Sequence, residues 1–195
     1  MVVSGDCLVA TAVLTGLQRA AVSPSIVWLD AHGDVHTLQT STSGYPGGMA
    51  LQLVMGAHPE LLGEALGLSP LTSDRAVLVD ARDLDPAEVE VLASGGPRRI
   101  AVHEVTAEQL PPGPLVLHVD VDVVDPASMP GLRFPAPGGP GPTKVLSAAQ
   151  RAMDTGRVVA VDISCPWLPT VDEAERAHRA HMVTALATLE PSSQP

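Results

Sequence analysis

Residues 114–126 read PLVLHVDVDVVDP. The first half is apolar almost throughout, as a strand covered on both faces of a sheet must be, and the run ends in Asp120, Asp122 and Asp125. SIVWLDAHGDVH, residues 25–36, has the same form: an apolar strand running into Asp30, His32 and Asp34. Other short β-branched runs at 2–4, 76–80, 99–103 and 157–163 alternate with Ala- and Leu-rich stretches of helical length at 8–21, 48–56, 86–94, 142–155 and 171–189. This βαβα order predicts an α/β fold with a mostly parallel sheet covered by helices on both faces. Nothing repeats and no linker divides the chain, so one domain is expected over 1–190, with 191–195 as a tail. The Pro- and Gly-rich segment 126–142 is a long loop directly after a strand, and in a compact domain such loops are functional or disordered.

Composition narrows the classes. The 195 residues carry a formal charge of −11 with one lysine among eleven basic residues, and no basic cluster exists to grip nucleic acid. Aromatic residues make up only 2%, leaving no stacking platform for bases or sugars. No apolar run reaches the roughly 18 residues of a membrane helix. The opening MVVSGDCLVA lacks the basic flank of a signal peptide, and two cysteines cannot staple a chain of this size. A cytoplasmic protein without nucleic-acid or membrane partners is expected.

In an open parallel sheet, ligands bind beyond the carboxyl ends of the strands. Asp30, His32 and Asp34 stand at one such end, and Asp120 and Asp122 at another. A period of two keeps alternate residues on one side, although Gly33 gives the chain freedom to turn before Asp34. Four carboxylates converging with almost no nearby Lys or Arg repel one another, and divalent cations relieve that repulsion. Oxygen-rich donors with one imidazole suit Mn²⁺, with Zn²⁺, Fe²⁺ or Mg²⁺ as other choices. Five ligands exceed the need of one ion, and bridging carboxylates would hold two about 3.5–4 Å apart. The competing reading is that each aspartate merely starts a loop or caps a turn, which accounts for single residues better than for both clusters together.

DAHGD at 30–34, HVDVDVVDP at 118–126 and SGDC at 4–7 resemble the arginase/agmatinase/formiminoglutamase family, the ureohydrolases. The likeness continues in order through SGYPGGM at 43–49, ARDLDP at 81–86, FPAPGG at 134–139 and VDISCP at 161–166. The resemblance implies a three-layer α/β/α fold, a dinuclear manganese site, hydrolysis of C–N bonds in linear amidines, and homo-oligomers. It also implies that Asp30, Asp34 and Asp120 hold one manganese while Asp30, His32, Asp120 and Asp122 hold the other.

The departures carry information too. The family's opening G-G-D-H supplies a histidine ligand where this chain has Cys7, and a thiolate there tilts preference toward Zn²⁺ or Fe²⁺. Cys165 stands where the family has a glutamate that grips guanidinium, so ordinary arginase activity is not expected. Gly47 occupies the place of the arginase proton-shuttle histidine, and His36 the place of a substrate-contacting asparagine. Measured against the same resemblance, the family's N-terminal stretch before the first metal motif is expected to be missing. By the same resemblance Asp34 orients the attacking water, His36 is the nearest candidate to protonate the leaving amine, and Ser43 and Asp85 contact the amino-acid end of a small amidine or guanidino substrate. Plainer roles compete: His36 as a structural histidine, Ser43 as a turn residue, and Asp85 as a helix cap before Pro86. Cys7 and Cys165 are expected to share the site, the competing reading being two small buried apolar side chains. For the whole protein the alternative is a family member that keeps metal as a scaffold without efficient catalysis.

Overall fold

The computed structural model describes residues 1–192, so most of the tail expected at 191–195 lies outside the described residues. Six strands form one sheet: β1 (Val2–Ser4), β2 (Ser25–His32), β3 (Ala76–Asp83), β4 (Arg98–Ile100), β5 (Leu115–Asp120) and β6 (Val158–Ser164). They lie in the order β1-β6-β5-β2-β3-β4, and every pairing is parallel. The principal helices are α1 (Val9–Arg19), α2 (Ala50–Val54), α3 (Gly63–Leu66), α4 (Pro86–Ala93), α5 (Pro142–Met153) and α6 (Glu173–Ala187).

Strand alternation sorts the core into two layers. Val27, Leu29, Val77, Val79, Leu117 and Val119 point to one face, where they meet Val145 and Ala149 of α5 and Met182 and Leu186 of α6. Ile26, Trp28, Leu78 and Val116 point to the other, against Ala10 and Leu14 of α1 and Leu51 and Val54 of α2, with Val91 and Leu92 of α4 at the margin. The result is the expected three-layer α/β/α architecture. Among the described residues no helix is long and apolar enough to cross a membrane.

Several boundaries differ from expectation. The strand expected at 99–103 stops at Ile100, and a 3₁₀ turn takes Val102–Glu104, leaving His103 exposed on a turn. The helix expected at 48–56 begins as a 3₁₀ turn, Pro46–Met49, before α2. The last helix starts only after Asp172, whose side chain accepts from Glu175 N, and α3 was not foreseen. Near its end β3 carries one residue more than its partner, since Asp30 pairs with Asp80 but His32 with Asp83. The chain absorbs that residue with positive φ at Asp80 and Ala81.

Candidate metal centre

The connections from β2 through β3 to β4 run one way across the sheet, and those from β5 to β6 run the other. The reversal opens a crevice between the carboxyl ends of β2 and β5, which is where such sheets bind ligands. Both aspartate motifs end there. Asp30 lies at the end of β2 and Asp120 at the end of β5, followed by a 3₁₀ turn, Val121–Val123, that carries Asp122. Each strand-end carboxylate is fixed by the backbone two residues on: Asp30 Oδ1 accepts from His32 N at 2.8 Å, and Asp120 Oδ1 from Asp122 N at 2.9 Å. The turn-forming role occupies Oδ1 of each, while Oδ2 of Asp30 accepts from Trp28 Nε1 and Oδ2 of Asp120 meets the Cys7 thiol. The alternation does not carry on to Asp34. β2 ends at His32, and the chain turns through Gly33 into Asp34, which sits at φ +52°. A Cβ at Gly33 would lie 2.7 Å from Glu88 Oε1 and 2.8 Å from Leu84 Cδ2, so glycine is what lets this turn close.

Asp30, Asp34, Asp120 and Asp122 are all buried, at 1%, 6%, 3% and 2% exposure. Burial, reinforced by neighbouring carboxylates, pushes Asp34 and Asp120 well above the usual carboxylate range. Asp122 is pushed up to about 7 by burial and by Asp30. Burial opposes charge on His32, yet Asp122 and Asp30, with oxygens 3.2 and 3.3 Å from Nδ1, push it up to about 12. Against the same burial penalty, that imidazole holds Asp30 below its ordinary value. The Cys7 thiol, 2.9 Å from Asp120 Oδ2 and 3.3 Å from Ser164 Oγ, is raised by burial and by Asp120. Arg82 brings no relief, because its guanidinium pairs with Asp80 and donates to the carbonyls of Asp122, Val123 and Ala136.

These groups fit divalent cations. Asp34 Oδ2 is buried without a hydrogen-bond partner. Donor atoms of Asp30, His32 and Asp122 lie within 4.8 Å of one another, as do those of Cys7, Asp30 and His118. Positive charge among these donors would lower every raised carboxylate at once.

Above this floor opens a cleft of about 410 Å³. His36, Ser43 and Asp85 line it, as expected. His36 is held between Thr40 Oγ1 (3.1 Å) and Asp85 Oδ2 (3.0 Å). Asp85 precedes α4, and its N–H donates to Glu88 Oε2, so its capping position and its place in the cleft coexist. Cys165 departs from expectation. Ser164 and Pro166 line the cleft, whereas Cys165 packs against the apolar cluster on the α5/α6 face, because successive strand residues alternate sides. The two thiols therefore do not share the pocket. Gly47 is explained by Tyr45, whose ring lies 2.4 Å from where a Cβ at 47 would stand and whose hydroxyl donates to Asp6. Sequence reasoning missed Tyr45, Arg133 and Phe134 at the rim. The last two come from the 126–142 loop, which Asp125 anchors by accepting from the N–H groups of Ala127, Gly138 and Gly139.

Known proteins share this fold. A family model described as Arginase family matches residues 1–189. The N(omega)-hydroxy-L-arginine amidinohydrolase of Streptomyces lavendulae is 32% identical over 184 residues, covering 92% of this chain and 64% of the relative. The arginase of Bacillus subtilis is 29% identical, with 83% and 59% covered. The chain thus spans less than two thirds of either relative. Among solved structures, arginase from Bacillus caldovelox superposes with a TM-score of 0.82 at 26% identity, over 98% of this chain and 68% of that one. Formimidoylglutamase from Bacillus subtilis, at 18% identity and a TM-score of 0.71, shares the fold. On the match along residues 1–189 and the common architecture, this chain belongs to the Arginase family.

Proposed function

We propose that the chain is a metal-dependent hydrolase that cleaves a C–N bond of a linear amidine or guanidino compound and holds two divalent ions, manganese foremost, per chain. The observation that carries this reading is the convergence of four buried carboxylates and His32 at the reversal point of the sheet. Asp30, His32, Asp34, Asp120 and Asp122 would hold the ions, with Cys7 as a further donor beside Asp120. When bound, the ions supply a nucleophile from water near neutral pH. Asp34, with one buried oxygen free of partners, would accept a hydrogen bond from the attacking water and aim it at the amidine carbon. His36, braced by Asp85 and Thr40, returns a proton to the leaving amine. Asp85 and Ser43 receive the polar end of the substrate at the rim, a role that a substrate amino group would match by charge.

L-Arginine itself is a poor substrate on this reading, since Ser164 rather than a carboxylate faces the cleft from the end of β6. Two free cysteines, Cys7 and Cys165, suit the reducing cytoplasm in which we place the protein. The exposed valines of edge strand β1 support assembly into homo-oligomers. The test is release of urea or ammonia from a panel of guanidino, N-hydroxyguanidino and formimino amino acids with saturating Mn²⁺. Turnover of one of them well above arginine supports the reading. Stoichiometric metal with no release from any amidine would make the protein a metal-stabilised scaffold.

A further inference from the structure

His118 lies two residues before Asp120 on β5, so its side chain leaves the sheet on the same face. It is fully buried and stacks on Trp28 with ring centroids 3.7 Å apart. Its Nδ1 meets Asp162 Oδ2 of the neighbouring strand at 2.9 Å, and Asp162 is itself fully buried. The other nitrogen, Nε2, is buried with no hydrogen-bond partner. Leaving such an atom unpaired is costly, and a simple packing role would be served better by an apolar ring. A ring nitrogen of His118, Cys7 Sγ and an Asp30 carboxylate oxygen lie within 4.8 Å of one another. Asp30 is turned into place by Trp28, whose Nε1 donates to Oδ2 at 3.1 Å.

Building on the proposed metal centre, we propose that Cys7, His118 and Asp30 form a soft-donor site for one zinc ion, with Asp162 positioning the imidazole. A carboxylate on Nδ1 fixes the tautomer that leaves a lone pair on Nε2, the usual arrangement behind a metal-bound histidine. Sulfur, imidazole nitrogen and one carboxylate oxygen are a zinc donor set, whereas His32 and Asp122, which cluster with Asp30 on its other flank, are the harder set that suits manganese. The thiol comes from the segment after β1 and the imidazole from within β5, two strands away in the sheet. The centre becomes asymmetric, one side soft and the other hard.

The test uses the full chain, labelled with ¹⁵N-histidine, stripped of metal with chelator and titrated with Zn²⁺ while the ring nitrogens are followed by NMR. The expected result is a His118 ring already in the Nδ1–H tautomer, whose Nε2 resonance moves to the metal-bound position as the first equivalent of zinc enters. A His118 resonance that stays put while His32 responds would overturn the soft site and leave the metal centre standing. Neither ring responding would bring down both. His118→Gln, where it folds, is expected to weaken zinc binding by at least about 10–100-fold, the range seen when metal-site support is removed. Unchanged zinc affinity in that variant also overturns the proposal.

Discussion

The floor and the rim of the cleft are built by different rules. On the floor, Asp30 and Asp120 end adjacent parallel strands, and the turn to Asp122 is closed by a hydrogen bond to Asp120 itself. Sheet geometry fixes these positions, and burial makes their charges costly unless cations neutralise them. At the rim, His36, Ser43, Tyr45, Arg133 and Phe134 come from loops, and their places depend on side-chain contacts such as Tyr45 with Asp6 and Phe134. The contrast teaches that the residues proposed to hold ions rest on rigid strand ends, whereas those that would meet the substrate rest on loops.

Substitutions should respect that division. The largest effect is expected at the floor. Asp120→Ala should take metal content from about two ions per chain to almost none and abolish turnover, because on the proposed reading the Asp120 carboxylate would hold both ions. Elemental analysis after Mn²⁺ loading checks this, and full retention of both ions would erase the distinction between floor and rim. His36→Ala should lower kcat by about 10²–10⁴-fold, the range for a lost proton donor, with metal content unchanged. Metal loss in that variant would make His36 part of the floor. Cys165→Glu tests the alternation along β6. It should cost about 1–3 kcal/mol in denaturant unfolding by placing a carboxylate against the α5/α6 layer, without raising arginine turnover. A gain in arginine turnover would show that residue 165 reaches the cleft. Smallest of all, Gly47→Ala should displace the Tyr45 ring and its bond to Asp6, costing about 0.5–1.5 kcal/mol while leaving metal binding intact.

The same division explains what the sequence made legible. The central strands could be read because apolar runs such as Ile26–Leu29 and Leu115–Val119 carry a two-sided burial signal, and the edge strands β1 and β4 because short β-branched runs continue the alternation with helices. The aspartates were legible because strand ends are local features. Cys165 was misplaced because motif counting sets a residue opposite its family counterpart, whereas the register of β6 gives the cleft-facing position to Ser164. His118 lies inside the apolar run of β5, buried and bonded to Asp162. Its shared side with Asp120 was present in the spacing, but the unpartnered Nε2 depends on where β6 places Asp162. Arg133 and Phe134 could not be assigned because their route to the cleft depends on long-range ties from Asp125 to Gly138 and Gly139. The shortened β4 and the turn at His103 reflect pairing with β3 alone at the sheet edge.

If the four buried carboxylates hold cations, diffraction from Mn²⁺-soaked crystals, collected with anomalous scattering, locates those cations. Two anomalous peaks between the ends of β2 and β5, each touched by Asp30 and Asp120, are the predicted result. Density showing these aspartates hydrogen-bonded to one another and to water, with no anomalous peak at saturating Mn²⁺, would contradict the account.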